Sequence, residues 1–154
     1  MRNKFMIVIG SDHAGFKLKQ YLKAELNKLG YKIKDIGTFS EESVDYPDYA
    51  EKVACLVSKS RQKKGILVCA TGIGMSIAAN KIPGIRAALA YDVSVAALSR
   101  QHNDSNILVL SGRPCNKARA RKILLVWLKT EFEGQRHARR VQKIARIEKK
   151  HPGV

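Results

Sequence analysis

The chain has 154 residues, 45% of them hydrophobic, and its 29 Lys and Arg against 13 Asp and Glu give a formal net charge of +16. This length and apolar content fit one packed domain over residues 1–154 and exclude a disordered basic tail. No apolar run approaches the ~20 residues of a membrane-spanning helix, and the run at 5–9 is shorter than the ~7–15 apolar residues of a signal peptide. We therefore expect a cytoplasmic protein that does not enter a membrane.

The first half of the chain alternates short apolar runs with longer amphipathic segments. Leucines at 18, 22, 26 and 29 recur at helical spacing on one face, and Gly30 is a natural C-terminal stop. Pro47 suits the first turn of a following helix. The predicted elements here are a strand at 5–9, a helix at 14–29, a strand at 31–36 and a helix at 48–60.

The second half repeats the alternation. Its predicted elements are a strand at 65–70, a tight turn at 71–74, a short helix at 75–81, a strand at 85–91, a helix at 92–101, a strand at 106–111, a helix at 115–132 and a basic helix at about 136–149. Continuous apolar strands separated by helices predict a parallel sheet that is covered on both faces. The expected fold is an α/β three-layer αβα sandwich with a Rossmann-like five-stranded parallel sheet and an extended C-terminal helix.

In a sheet of this kind, ligands bind beyond the carboxyl ends of the strands. This rule selects the loops at 11–15, 69–74 and 111–114, which follow predicted strands. We assign the loop at 101–104, which precedes the last strand, to the same edge.

The Gly-Ile-Gly turn at 72–74 lies between a strand and a helix, where backbone N–H groups can converge on an anion. Ile77 stands where a dinucleotide fingerprint needs its third glycine, so a small-anion cradle or a plain tight turn remains. Cys69 precedes the turn and is either a small core residue or a reactive thiol. The chain has 3 cysteines and no CxxC pair, which argues against a disulfide framework and against structural zinc.

Histidines and arginines are the remaining candidates for acid–base catalysis and for phosphate binding. Near neutral pH, His13 beside Asp12, and His102 in the later loop, can each act as a general acid or base, or can be ordinary loop residues. No spacing indicates three or four metal ligands, so no metal is expected. Arg136 and Arg140 lie four residues apart on one helical face, which suits phosphate on a small molecule or on a nucleic acid.

Taken in order, these motifs resemble those of the ribose-5-phosphate isomerase B family, which includes the galactose-6-phosphate isomerase subunits. The resemblance extends from residue 5 to about residue 149. It is carried by Gly10-Ser-Asp-His-Ala-Gly-Phe16, Asp45-Tyr-Pro47, Cys69-Ala-Thr-Gly-Ile-Gly74, Ile77-Ala-Ala-Asn80, Ser99-Arg-Gln-His-Asn-Asp104 and Arg136-His-x-x-Arg140.

The resemblance implies a metal-independent aldose–ketose isomerase that needs no cofactor. Its substrate would be a sugar phosphate, with ribose 5-phosphate and ribulose 5-phosphate interconverted through a cis-enediolate. It also implies a homodimer or homotetramer with a shared active site, which the basic helix at about 136–149 would reach from a partner subunit.

The resemblance also implies residue roles. Cys69 would be the base, Thr71 would assist proton movement, and backbone N–H groups from 72–74 would hold the enediolate charge. Asp12 and His102 match positions associated with opening the furanose ring. The substrate-binding residues would be His13, Tyr46, Gly72, Gly74, Asn103, Arg113, Arg136 and Arg140, of which His13 and the three arginines would grip the phosphate.

Two departures and two alternatives bear on this interpretation. Some members of the family use a glutamate just after the glycine turn as the base, but Met75 stands there and cannot accept a proton, which favours Cys69. Ala70 stands where glycine is common in the family.

One alternative is an isomerase of a six-carbon sugar phosphate, such as allose or galactose 6-phosphate. The other is a nucleic-acid-binding module, against which the lack of aromatic residues interleaved with the basic run argues.

Overall fold

The apolar runs form the strands of one parallel sheet, and the amphipathic segments form the helices between them. The computed structural model describes residues 5–152, so residues 1–4 and 153–154 of the predicted domain lie outside it. The strands are β1 (Met6–Ser11), β2 (Ile33–Asp35), β3 (Lys63–Cys69), β4 (Ala87–Leu89) and β5 (Ile107–Ser111). The helices are α1 (Phe16–Lys28), α2 (Tyr46–Ser58), α3 (Ile73–Ala79), α4 (Val93–Gln101), α5 (Lys117–Lys129) and α6 (Gln135–Lys150).

The sheet has the strand order β2-β1-β3-β5-β4, and every pairing is parallel. Ser11 at the end of β1 lies beside Val68, and Cys69 at the end of β3 lies beside Ser111. The three central strands therefore end together at one edge, which we call the carboxyl edge. The opposite edge, where the strands begin, is the amino edge.

Alternating strand residues divide the core into two layers. Ile9 and Val68 pack on one side with apolar residues of α1, α4 and α5, including the fully buried Trp127. Val8 and Leu67 pack on the other side with residues of α2 and α3. Because the side-chain period of a strand is two, each strand supplies both layers. The predicted three-layer α/β sandwich is confirmed.

The C-terminal helix α6 lies outside these two layers. Near its end, both carboxylate oxygens of Glu148 accept the backbone N–H of Gly84, at 3.0 and 3.1 Å. Ile144 and Ile147 remain 40% and 59% exposed, so this helix keeps apolar surface that the rest of the chain does not cover. Within residues 5–152, no helix combines the length and the apolar character that crossing a membrane requires.

Candidate active site

Cys69 is the last residue of β3 and is 4% exposed. Its position in the strand directs it to the α2–α3 side of the sheet, beside Leu67 and Met75. The backbone N–H of Gly72 donates to its Sγ atom at 3.1 Å. An N–H aimed at sulfur fixes the side chain and stabilises negative charge on it. The structure thus turns this thiol toward the glycine turn.

The turn between β3 and α3 requires glycine at two positions. Gly72 has a φ of +83°, and a Cβ atom there would lie 2.5 Å from Cδ1 of Leu89. A Cβ atom on Gly74 would lie 2.6 Å from the ring of Tyr46. Tyr46, the first residue of α2, is 40% exposed and therefore forms a wall beside the turn.

The first-turn N–H groups of α3 have no acceptor inside the helix, so the turn is a source of donors. Two of them are already engaged locally: the N–H of Gly72 by the sulfur of Cys69, and the N–H of Ile73 by Oγ1 of Thr71 at 3.2 Å. The N–H of Gly74 lies in the same turn. An anion at this place would therefore meet a partly occupied cradle rather than three free donors.

Two predicted residues follow β1 at the same edge. Asp12 is 6% exposed, and its Oδ1 accepts the N–H of Gly15 at 3.0 Å. Position 15 must be glycine, because a Cβ atom there would lie 2.3 Å from the carbonyl oxygen of Val68. Nδ1 of His13 accepts the N–H of Val44 at 3.2 Å, which leaves Nε2 as the N–H donor of the neutral ring.

Arg113 follows β5 and completes the carboxyl-edge group. Its backbone N–H donates to the carbonyl of Ala70 at 3.0 Å, and the N–H of Gly112 donates to the carbonyl of Cys69 at 2.7 Å. These bonds hold the turn after β5 against the end of β3. The carboxyl-edge group is Asp12, His13, Tyr46, Cys69, Thr71, Gly72, Gly74 and Arg113.

His102 and Asn103 do not join this group, and the assignment of their loop to the same edge was wrong. His102 ends α4, and the Asn103 carbonyl accepts Nε of Arg86 at 2.9 Å, just before β4 begins. A residue that precedes a parallel strand lies at the amino edge. From Ile107 to Ser111, four steps of ~3.3 Å separate the two edges by about 13 Å.

The amino-edge group is His102, Asn103, Arg136 and Arg140, together with His137, a residue that was assigned no role from the sequence. The rings of His102 and His137 stack with centroids 4.1 Å apart and an interplanar angle of 8°. Nε of Arg136 donates to Nε2 of His137 at 3.5 Å. His137 is 4% exposed, whereas Arg136 and Arg140 are exposed. The signal for His137 was its place between two arginines in the closing motif.

Burial lowers the pKa of His137, and the positive charges of His102, Arg136 and Arg140 lower it further, while Glu133 opposes them. Nε2 of His137 lies 3.6 Å from a carboxylate oxygen of Glu133, beyond hydrogen-bond distance. The neutral ring, which accepts from Arg136, is therefore the form we assign at neutral pH.

His102, Glu133 and His137 also bring three possible metal-ligand atoms within 4.8 Å of one another. The two rings stack at 8°, so their ring-nitrogen lone pairs lie in two separate, nearly parallel planes, whereas a metal ion needs the lone pairs of its ligands to converge on one point. The Arg136 guanidinium already donates to Nε2 of His137. These residues, as arranged, do not fit a metal ion.

The chain is similar in sequence and in structure to known proteins of one family. A family model described as Ribose/Galactose Isomerase matches residues 7–144. The chain is 45% identical to ribose-5-phosphate isomerase B of Escherichia coli, over 94% of this chain and 97% of that protein. It resembles the structure of Clostridium thermocellum ribose-5-phosphate isomerase B with a TM-score of 0.93 and 51% identity, over 96% and 99% of the two chains. The Mycoplasma genitalium enzyme, solved with bound ribulose-5-phosphate, gives a TM-score of 0.91 and 44% identity, over 94% and 97%.

Proposed function

The chain belongs to the ribose/galactose isomerase family, and we propose that it interconverts ribose 5-phosphate and ribulose 5-phosphate as an aldose–ketose isomerase. The observation that carries this substrate is the 44% identical relative whose structure holds ribulose-5-phosphate, aligned over 94% of this chain. The carboxyl-edge group supplies a base, a cradle of N–H donors and phosphate-binding side chains, which are the parts that proton transfer next to a carbonyl needs.

Cys69 is the base in this proposal. Its thiolate removes the proton from C2 of the open-chain aldose, and the electrons of that C–H bond form the C1–C2 double bond of a cis-enediolate, with the charge on O1. The same sulfur returns the proton to C1 as the C2 carbonyl forms, while Thr71 assists proton movement between O1 and O2. Met75 is fully buried and its thioether cannot take a proton, so it offers no alternative base.

The N–H groups of the glycine turn hold the enediolate charge. One good donor of this kind contributes ~3–4 kcal/mol to the transition state in other enzymes. Because the N–H of Gly72 donates to the sulfur of Cys69, it stabilises the thiolate before the proton moves and can turn to the substrate when the sulfur is protonated. In this proposal the Gly72 N–H donates first to the Cys69 thiolate and then to the enediolate oxygen.

The positions of the two edge groups support an active site shared between two copies of the chain, as a homodimer or homotetramer. Asp12 and His102, both assigned to ring opening, lie at opposite edges of one sheet, with about 13 Å of strand between those edges. The carboxyl-edge group of one subunit would therefore meet the amino-edge group of its partner, including Asn103. Phosphate would bind between His13 and Arg113 of one subunit and the Arg136–Arg140 pair that α6 carries from the other.

Complementation between inactive variants tests the shared site and the residue roles together. Cys69→Ala and His102→Ala alter opposite edge groups, so a mixed dimer has one site with both defects and one intact site. Equal mixing after subunit exchange should restore about a quarter of wild-type activity, because half of the dimers are mixed and each has one good site of two. The matched control is Cys69→Ala with Asp12→Ala, which alter the same edge group and should restore nothing. Recovery in both mixtures, or in neither, contradicts the shared site.

Substrate preference and nucleic-acid binding are tested separately. Assays with ribose 5-phosphate, allose 6-phosphate and galactose 6-phosphate should show preference for the pentose; preference for a hexose phosphate would contradict the substrate but leave Cys69 as the base. We also propose that the protein works in the cytoplasm, since charged sugar phosphates do not cross membranes. A gel-shift assay at physiological salt should show no tight, specific nucleic-acid binding.

A further inference from the structure

We propose that His137 is a positioning residue for His102, the buried support that fixes the plane of the His102 ring for ring opening. This inference rests on the proposed function, in which His102 serves that step. The observation behind it is the nearly parallel stack of the two rings, 4.1 Å apart. The proposal assigns a role to His137, a buried titratable residue that takes no part in proton transfer by Cys69.

His102 is partly buried, and the hydrogen bond within its own segment orients the main chain rather than the ring. It ends α4, and its backbone N–H is bonded to the carbonyl of Leu98, which fixes the main chain only. Within residues 5–152, the ring of His102 stacks on that of His137 and forms no hydrogen bond, although a Glu133 carboxylate oxygen lies within 4.8 Å of one of its nitrogens. Both nitrogens thus remain available to a sugar oxygen, while the stack restricts the ring to one plane.

His137 is itself held firmly enough to serve as that support. It lies in the first turn of α6, is 4% exposed, and its backbone N–H donates to the carbonyl of Gly134 at 2.9 Å. Its Nε2 accepts from Arg136. This hydrogen bond connects the support of His102 to the guanidinium that we assign to the phosphate.

The charge state of His137 also suits a support. The charged groups that face it are His102, Arg136, Arg140 and Glu133, and the balance of these with burial keeps the ring neutral. A neutral aromatic face tolerates an adjacent cation, whereas two imidazolium rings 4.1 Å apart would repel each other. His137 thus lets His102 carry a proton to or from the ring oxygen.

Two substrates separate ring opening from the later chemistry. Ribose 5-phosphate is a furanose and must be opened, whereas D-erythrose 4-phosphate has its C4 oxygen phosphorylated and cannot close a furanose ring. For His137→Leu, kcat on ribose 5-phosphate should fall about 10- to 100-fold, since a misplacement of ~1 Å can cost about 100-fold. Its kcat on erythrose 4-phosphate should stay within about threefold of wild type. His137→Phe keeps a flat ring and should recover most of the lost kcat, with a higher KM because Arg136 loses its acceptor.

A double-mutant cycle shows whether His137 acts through His102. His137→Leu added to His102→Ala should lower kcat on ribose 5-phosphate no further, whereas an independent or purely structural role lowers it again. Equal losses for Leu and Phe, or equal losses on both substrates, would also overturn the proposal. If the Leu variant melts more than about 10 °C below wild type, the flexible His137→Met variant replaces it in both comparisons. Failure of the wild type to isomerise ribose 5-phosphate would instead refute the proposed function.

Discussion

Lys64, the second residue of β3, is a buried cation whose charge makes the folded chain less stable near neutral pH. It is 6% exposed, and its ammonium nitrogen lies 4.2 Å from the ring centroid of Phe5 and 5.1 Å from that of Trp127. Within residues 5–152, no carboxylate pairs with it. Burial lowers the pKa of Lys64 from 10.5 to about 8, with a further lowering by Arg100. Replacement by methionine, which keeps the length and removes the charge, should therefore stabilise the protein.

The sign and size follow from proton linkage. Between pH 8 and 10.5 the unfolded chain binds more protons at Lys64 than the folded chain, so the unfolding free energy of the wild type rises with pH in that window. The lowering of the pKa from 10.5 to about 8 corresponds to about 3 kcal/mol, since each pKa unit is worth about 1.4 kcal/mol. Partial access of water and the two ring contacts, each worth about 0.5–1 kcal/mol, reduce this to about 2 kcal/mol.

Urea denaturation of wild type and Lys64→Met from pH 7 to pH 10 measures this difference. The variant should be about 2 kcal/mol more stable at pH 7, and its advantage should shrink steadily above pH 8 as the wild-type lysine loses its proton. Lys34→Met, an exposed lysine in β2, is the control and should change stability by less than about 0.5 kcal/mol at every pH. A variant less stable than wild type at pH 7, or an advantage that does not depend on pH, would refute the reasoning.

Three further changes test single features. Ser11→Ala removes a fully buried hydroxyl that has no hydrogen-bond partner among residues 5–152 and should raise the unfolding free energy by about 1 kcal/mol in urea; a loss of that size would mean the hydroxyl is bonded. Gln135→Gly relieves a φ of +48° at the start of α6 and should raise stability by about 0.5 kcal/mol, measured the same way; destabilisation would contradict it. Arg136→Ala should raise KM for ribose 5-phosphate at least about tenfold with little change in kcat, as expected for a lost charged hydrogen bond to phosphate. Arg139→Ala, also exposed on α6, should leave both constants unchanged, and equal effects would remove the phosphate assignment.

The order and type of the elements could be predicted because each depends on a local pattern. The edge strands were predicted too long: the strand expected at 31–36 is Ile33–Asp35, and the one expected at 85–91 is Ala87–Leu89. β2 and β4 lie at the edges of the sheet and each pairs with only one strand. Apolar residues beyond the last hydrogen bond of that pairing are therefore not part of the strand. The short helix expected at 75–81 begins at Ile73 because Gly72 adopts a positive φ and caps it. Sequence patterns do not report where a strand's partner ends.

The candidate site also contains residues whose place could be predicted from the sequence and residues whose place could not. Residues at or just after the end of a strand, such as Cys69 and Asp12, could be placed together because parallel strands end at one edge. His102 was misplaced because closeness to β5 in sequence was taken as closeness to its carboxyl end. The role of His137 depends on burial and on a stack between residues 35 positions apart in the chain, and no local pattern contains that information.

The distribution of charge gives a reason for two copies of a strongly basic chain to associate around this substrate. The amino-edge group presents Arg136 and Arg140 on an exposed helix face, in a chain whose formal net charge is +16. The carboxyl-edge group that we place opposite it contains Asp12, the thiol of Cys69 that we propose as the base, and a single arginine, Arg113. In the shared site that we propose, a phosphate dianion between His13 and Arg113 of one subunit and the two arginines of the other would offset the repulsion that such a charge imposes on the assembly. Because that anion would bind only where two subunits meet, we expect substrate binding and subunit association to stabilise each other.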